Sequence, residues 1–267
     1  MSARRQPLNL SAIITGACGG IGECFARELA SRGCNLVLTD IDTRRLEQLS
    51  ASLPADITVL TLTVDLTRPD AADRIFRFCD ASAISPEILI NNAGVFSFCP
   101  VAETDDGRVD TFIDLHVRAV AMLSKRFAER RIETGIGYIL NMSSMSCWMP
   151  MPGIALYSST KAFIRTFTRA LNYEIEDYGL HAMAACPGGI ATNLFGLPPG
   201  LMKIALALGA VARPEKFTRK AVDRLLKGKR QYINGILNRI SIVAVGFTPA
   251  YVRKMVKHKM LDKGIKR

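Results

Sequence analysis

Thr15-Gly16-Ala17-Cys18-Gly19-Gly20-Ile21-Gly22 lies between an apolar run, Ser11 to Thr15, and an amphipathic stretch, Ile21 to Ser31, in which Ile21, Phe25 and Leu29 recur every four residues. The run has the length and content of a buried strand, and the repeat has the period of a helix. A glycine-rich turn joining the two predicts a loop that wraps a phosphate. Gly16, Gly20 and Gly22 let the backbone turn sharply and approach a pyrophosphate, and the helix N-terminal amides then bind it. Cys18 and Ile21 share the loop and are assigned with it to cofactor binding.

The same alternation continues along the chain. Further β-rich runs are Asn35 to Thr39, Ile57 to Val64, Ile88 to Asn91, Tyr138 to Met142, His181 to Ala185 and a short Gln231 to Asn234, with helix-like stretches such as Asp42 to Leu53 between them. Near-continuous apolar strands alternating with amphipathic helices predict an α/β fold, a mainly parallel sheet of about seven strands covered on both faces. Residues 1–234 form one domain, which includes an excursion from the sheet within 190–230, and residues 235–267 form a basic and apolar extension. The excursion falls between the last two strands, near the strand ends where such sheets bind ligands.

Composition narrows the function classes. With 267 residues, 49% apolar and 22% charged, the chain buries an ample core and is not disordered. The net charge of +11 is unevenly placed: 17 of the 35 Lys and Arg follow Met202, opposed there by only three acidic residues, so the excess belongs to the C-terminal quarter. Seven scattered cysteines without a C-x-x-C pair, and three histidines without a metal-ligand pattern, predict buried thiols in a reducing, cytoplasmic compartment and no metal site. The uncharged stretches Thr134 to Thr160 and Tyr178 to Met202 are too broken by Ser, Asn, Pro and Gly to span a bilayer, so the expectation is a soluble protein, or one attached to a single membrane face.

Two more signals carry chemistry. Asp40 ends the second strand 18 residues beyond Gly22, close to the spacing of about 20 at which an acidic residue meets an adenosine ribose. A carboxylate there accepts the ribose hydroxyls and repels a 2′-phosphate, so it favours NAD over NADP; Arg44 and Arg45 keep NADP as the minority option, and Asp42 reads as a helix cap. Tyr157-Ser158-Ser159-Thr160-Lys161 opens an apolar-periodic helix with tyrosine and lysine on one face. An ammonium there can pull a phenol down from about 10 and ready it for general acid–base work. Ser144, thirteen residues before Tyr157, can hold the substrate oxygen beside it.

Taken together these residues resemble the short-chain dehydrogenase/reductase family. Thr15 to Gly22 matches its T-G-x-x-x-G-I-G loop, Asn91-Asn92-Ala93-Gly94 its N-N-A-G strand end, Asn141-Met142-Ser143-Ser144 its serine element, Tyr157 to Lys161 its Y-x-x-x-K, and Pro187-Gly188-Gly189-Ile190-Ala191-Thr192 its P-G-x-x-x-T turn. Order and spacing fit over about Leu8 to Asn234. The resemblance implies a doubly wound Rossmann-like sheet, and it implies an oxidoreductase interconverting a secondary alcohol and a ketone with NAD or NADP. Within that mechanism Ser144 orients the substrate oxygen, Tyr157 exchanges the proton, and Lys161 lowers its pKa while binding the nicotinamide ribose. By the same resemblance Asp65 and Leu66 meet the adenine, and Asn92, Ala93 and Gly94 line the cofactor cleft. Pro187 and Gly188 belong with them to cofactor binding, and Ile190 with Thr192 clamps the carboxamide. It further implies a homodimer or homotetramer through the long central helices.

One position departs from the family. Where an asparagine usually supports a proton-relaying water, Ile113-Asp114-Leu115-His116-Val117 offers His116, which either packs in the helix, holds that water or titrates near neutrality. It enters the candidate catalytic set on those terms, with a catalytically weak dinucleotide-binding sensor or scaffold as the competing function. Phe96, Phe98, Met145, Trp148, Met149, Met151, Leu194 and Phe195 suggest an apolar pocket for a lipophilic substrate, steroid-like, acyl or aromatic. In the extension, apolar Ile240 to Val252 is followed by Arg253, Lys254, Lys257, Lys259, Lys263, Lys266 and Arg267 with only Asp262 opposing. This suits either an anionic membrane surface or a helix folded onto the core or a partner subunit. Nucleic acid is not expected, since stacking aromatics are not interleaved with the charges.

Overall fold

A computed structural model of the chain describes residues 8–190, 211–246 and 249–260. Strand β1 (Ser11–Thr15) leads through the glycine loop into α1 (Gly20–Ala30); β2 (Asn35–Asp40), α2 (Thr43–Ala51), β3 (Val59–Thr63), α3 (Ala71–Ala81) and β4 (Ile88–Asn91) follow. Next come α4 (Asp106–Ile113), α5 (Ala119–Arg131), β5 (Gly137–Met142), the long α6 (Ala155–Ile175) and β6 (Leu180–Ala185). Two short strands, β7 (Gly189–Ile190) and β8 (Val211–Ala212), pair with each other, and α7 (Pro214–Leu225) leads to β9 (Gln231–Tyr232). The extension carries α8 (Ile236–Gly246) and α9 (Ala250–Met260).

Seven strands form one sheet in the order β3-β2-β1-β4-β5-β6-β9, and every neighbouring pair is parallel. Parallel strands bury both faces, and the side-chain period of two divides their residues between two cores. Ala12 and Ile14, Leu36 and Leu38, and Ile88 and Ile90 point into one core with Phe25, Leu29, Leu46 and Phe217 from α1, α2 and α7. Ile13, Val37, Leu89 and Ile139 point into the other with Ile75, Phe76, Leu123, Phe127 and Leu171 from α3, α5 and α6. Burying each such side chain contributes about 1.5–3 kcal/mol.

This order reverses direction between β1 and β4, so the connections from those two strands leave to opposite sides and open a crevice at their C-terminal ends. Thr15, Asp40, Asn92, Ser144 and Pro187 all lie at or just beyond the C-terminal end of a strand. Sequence and structure agree on each of the seven strands of this sheet to within two residues, while the short β7 and β8 had no counterpart in the sequence reading. The difference at the end of the sheet is physical: β9 pairs with β6 only through Gln231 and Tyr232, so Ile233 and Asn234 leave the ladder. The extension packs back onto the domain, with Asn238 of α8 buried and α8 against the turn Met145–Trp148. Among the described residues, no helix is long and apolar enough to cross a membrane.

Candidate active site

The glycine loop is held by the end of β4. Thr15 Oγ accepts from Asn92 N at 3.0 Å and Ala93 N at 3.1 Å, while Asn92 Nδ2 donates to the carbonyls of Thr15 and Gly16, each at 3.0 Å. Gly16 has φ +61°, and a Cβ there would come to 2.7 Å from Ala93 Cα. A Cβ on Gly22 would drive into the Gly16 carbonyl. Both positions therefore exclude a side chain, one by conformation and one by close approach. Gly19 at the N-cap offers no side-chain acceptor to the first turn of α1. Amides with no side-chain partner at a helix N-terminus fit a pyrophosphate, as the loop sequence requires.

Asp40 closes on the same loop. Its carboxylate accepts from Cys18 N at 2.9 Å, Ile41 N at 2.8 Å and Asp42 N at 3.3 Å. Burial, with Asp40 adding to it, pushes the Cys18 thiol up to about 12, so Cys18 is an inert part of the loop wall. Asp42 caps α2 by accepting from Arg45 N at 3.0 Å, as the sequence implied, and the Arg45 guanidinium donates to the Cys18 carbonyl. Arg44 is exposed. Asp65 is exposed at the end of a strand connection. Its Oδ1 accepts from Thr67 N (2.9 Å) and Thr67 Oγ1 (2.7 Å), which hold its carboxyl below the usual range, and Leu66 beside it is buried.

A cleft runs from Ile21 at the start of α1 past Asn92, Gly94 and Val95 to Met142, Ser144, Tyr157 and Lys161, and is closed by Pro187, Gly188 and Ile190. Ser144 caps the short turn Met145–Trp148, its Oγ accepting from Ser146 N at 3.1 Å, which fixes the hydroxyl at the strand end. Tyr157 and Lys161 occupy the first two turns of α6, both buried. Lys161 Nζ donates to Met142 O at 2.9 Å and lies 5.7 Å from the Tyr157 ring centroid, and burial brings its pKa down to about 8.

The lowered tyrosine pKa expected from the Y-x-x-x-K spacing is not what this arrangement produces. Burial pushes the Tyr157 phenol up, opposed by a hydrogen bond with Ser144, while the Lys161 ammonium donates to a backbone carbonyl. The phenol is therefore protonated at neutral pH, the state a general acid needs. Phe96 stands edge-on to the Tyr157 ring at 5.0 Å between centroids.

His116 lies in a π-helical turn, Asp114–Arg118, that widens the helix between α4 and α5; Ala119 N bonds back five residues to Asp114 O. The widened turn carries the imidazole, fully buried, toward Lys161 and Tyr157, 6.1 Å from the tyrosine ring. Nε2 accepts from Val95 N at 3.0 Å, so the proton sits on Nδ1 and is donated to Thr160 Oγ1 at 3.0 Å; that hydroxyl donates on to Tyr157 O. Desolvation first, then the charges of Lys161 and Arg108, push the ring down to about 2. Titration near neutrality is thereby corrected: both nitrogens are satisfied by protein groups and the ring stays neutral.

At the far wall, Gly188 N donates to Asn234 Oδ1 at 2.8 Å, and Asn238 Nδ2 donates to Asn234 O at 2.7 Å. The extension thus supports the cleft through Asn234, a role for Asn234 and Asn238 that no motif announced. Ile190 is buried in β7, whereas Thr192, Leu194 and Phe195 lie outside the described residues. Of the apolar candidates, Met145 is buried, Trp148 carries the Arg165 guanidinium 4.5 Å from its ring, and Phe98 is 41% exposed. The apolar lining of the cleft comes instead from Ile21, Val95, Met142 and Ile190.

Residues 11–197 match the family model described as short chain dehydrogenase. The chain belongs to the short-chain dehydrogenase family. It is an oxidoreductase working between CH–OH and carbonyl groups with a nicotinamide dinucleotide. Among curated relatives it is 29% identical over 240 residues to very-long-chain 3-oxoacyl-CoA reductase-B of Danio rerio, covering 88% of this chain and 74% of that one. It is 30% identical to very-long-chain 3-oxoacyl-CoA reductase of Bos taurus, covering 84% and 70%. Among solved structures, a short-chain dehydrogenase from Sphingobium yanoikuyae in complex with NADPH superposes with a TM-score of 0.75 at 28% identity, covering 88% of this chain and 92% of that one.

Proposed function

We propose that this short-chain dehydrogenase reduces a lipophilic ketone, a 3-oxoacyl thioester in the first instance, to its secondary alcohol. The observation that carries the reading is Ser144, Tyr157 and Lys161 together in a cleft that Ile21, Val95, Met142, Pro187 and Ile190 line with apolar side chains. The names of the curated relatives support an acyl substrate over a steroid-like or aromatic one. In the reductive direction Ser144 donates a hydrogen bond to the ketone oxygen, and the protonated Tyr157 gives it a proton as charge develops. Lys161, buried beside the tyrosine ring, then stabilises the phenolate and binds the ribose of the dinucleotide. The dinucleotide supplies the hydride.

Asp40 at the edge of the loop favours NADH over NADPH, with exposed Arg44, and Arg45 on the Cys18 carbonyl, the guanidinium groups that a 2′-phosphate would recruit. The contrary observation is the NADPH in the Sphingobium structure. The test is turnover with a series of 3-oxoacyl thioesters of rising chain length against steroid and aromatic ketones, each with NADH and with NADPH. Reduction of the acyl series with NADH, rising with chain length, is expected. Dinucleotide binding with no turnover on any ketone supports the sensor or scaffold instead, and a large NADPH preference overturns the Asp40 argument.

The extension has the features of a membrane-surface anchor. Ile236, Leu237 and Ile240 of α8 are 76%, 56% and 60% exposed, Tyr251 of α9 is 71% exposed, and Lys254 and Lys257 are exposed beside it. Apolar side chains flanked by cations suit the interface of an anionic bilayer. Salt-sensitive pelleting with vesicles containing phosphatidylserine, lost in Ile236→Asp/Ile240→Asp, is expected; equal, negligible pelleting of both proteins contradicts it.

A further inference from the structure

Beyond the end of the sheet, β5 and β6 remain tied. Ser143 N donates to Ala185 O at 2.8 Å and Met145 N to Pro187 O at 2.9 Å, so the turn after Ser144 lies along the segment after β6. This lattice brings Cys147 of the turn against Cys186, the residue before Pro187. The two thiols lie within interaction distance of each other and of the Ser143 hydroxyl, which itself donates to Lys161 O at 2.7 Å. Cys186 is fully buried and Cys147 is partly exposed. Cys147 is also close enough to Tyr157 for its charge to act on the phenol.

The chemistry of these two differs from that of the other cysteines. Burial pushes the thiols of Cys24, Cys34 and Cys79 up to about 11, as it does Cys18, which leaves them unreactive at neutral pH. Cys147 runs the other way: hydrogen bonds from Cys186 and Ser143 and the positive charge of Arg165 hold it below the ordinary thiol range. Cys186, the donor in a buried site, is raised. A partly exposed thiol beside a fully buried one has the layout of a reactive and a resolving cysteine.

We propose that Cys147 and Cys186 are a modification site for hydroperoxides, Cys147 taking the oxidation and Cys186 resolving it to a disulfide that ties the Ser144 turn to the Pro187 wall and suppresses turnover. The Cys147 thiolate attacks one peroxide oxygen; the O–O bond breaks, the S–O bond forms, and the released oxygen leaves as water or an alcohol after taking a proton. Cys186 sulfur then displaces hydroxide from the sulfenic acid, which leaves as water with the Cys186 proton. The two thiols supply the two electrons that reduce the peroxide. Joining the sulfurs in a bond of about 2.05 Å draws the Cys147 turn toward β6 and shifts Ser144, three residues away, relative to Tyr157. The effect on turnover rests on the oxidoreductase reading; the formation of the disulfide does not.

The test treats the reduced full-length protein with hydrogen peroxide, alkylates the remaining thiols, and maps the peptides by mass spectrometry alongside ketone reduction. The expected result is a Cys147–Cys186 cross-linked peptide that appears before any other cysteine is oxidised, with turnover falling at least tenfold and returning on treatment with dithiothreitol. Cys186→Ala should leave a sulfenic acid at Cys147 that dimedone captures, and Cys147→Ser should remove both the cross-link and the peroxide sensitivity. An active enzyme in which Cys147 and Cys186 stay separate thiols, or in which Cys99 is oxidised first, overturns the proposal. A reversible Cys147–Cys186 cross-link in a protein that reduces no ketone in either state supports the thiol pair and contradicts the proposed function instead.

Discussion

Replacing Gly22 by alanine probes the seam between the glycine loop and α1. The added Cβ would overlap the Gly16 carbonyl oxygen and come to 2.8 Å from Asn92 Nδ2 and 2.9 Å from the Gly16 carbonyl carbon. Gly16 O cannot give way freely, because it accepts from Gly19 N at 3.1 Å and Asn92 Nδ2 at 3.0 Å. Displacing it loses two hydrogen bonds of about 1 kcal/mol each. Crowding of this kind adds about 1–3 kcal/mol, and the better helix propensity of alanine returns about 1 kcal/mol. The net is a destabilisation of about 2–4 kcal/mol, or a Tm lower by roughly 5–15 °C for a chain of this size. Thermal melts followed by circular dichroism measure it, with dinucleotide binding by fluorescence expected to weaken at least tenfold. Gly107→Ala is the control, since a Cβ there meets only Asp105 Oδ1, at 3.4 Å, and should leave Tm within about 1 °C. A Gly22→Ala protein with unchanged Tm and unchanged binding refutes the account of the loop.

Thr15→Val keeps the side-chain shape but strands the amide of Ala93 and leaves Asn92 N with Ile90 O alone; urea unfolding should show a loss of about 1–3 kcal/mol, and a loss under 0.5 kcal/mol would refute the assignment. His116 gives a pH signature. With the folded ring at about 2 and an ordinary value of 6.5, the unfolded chain holds the extra proton between those limits, so stability rises with pH up to about 6.5. The difference between wild type and His116→Leu should grow by about 2–3 kcal/mol from pH 4.5 to 6.5 and be flat above; a difference that instead changes between pH 7 and 8 contradicts a neutral, locked ring. Lys161 acts the same way at higher pH. Its folded value of about 8 lies below the ordinary 10.5, so wild type should gain stability relative to Lys161→Met as pH rises from 8 toward 9.5, by about 2 kcal/mol. A flat difference there refutes the burial of the amine.

The architecture was legible because strand and helix periods alternate cleanly and the glycine loop can only join one to the other. Ser144, Tyr157 and Lys161 were legible for a different reason: two share a helix face four residues apart, and the third ends a neighbouring strand. Spacing could not disclose the burial of Tyr157, which reverses the expected fall in its pKa, nor that Lys161 Nζ donates to Met142 O. The protonation state of His116 depends on Val95 and Thr160, 21 and 44 residues away, and on a π-turn that no sequence period marks. The support that Asn234 and Asn238 give to Gly188, and the meeting of Cys147 with Cys186, arise only after parallel strands become neighbours. Arg32, buried against Glu28 and held by Asp223 at 2.8 Å, is another case, joining α1 to α7 across 191 residues of chain.

The most direct test of the central claim is the rate of reduction of a long-chain 3-oxoacyl thioester by wild type and by Tyr157→Phe, measured with saturating dinucleotide. The hydroxyl is the proton donor in this account, and the phenyl ring preserves the edge-on contact with Phe96 and the packing against Lys161. The turnover number should fall by about 10²–10⁴-fold while dinucleotide affinity stays within a few-fold. Turnover unchanged by the loss of that single oxygen would contradict the account.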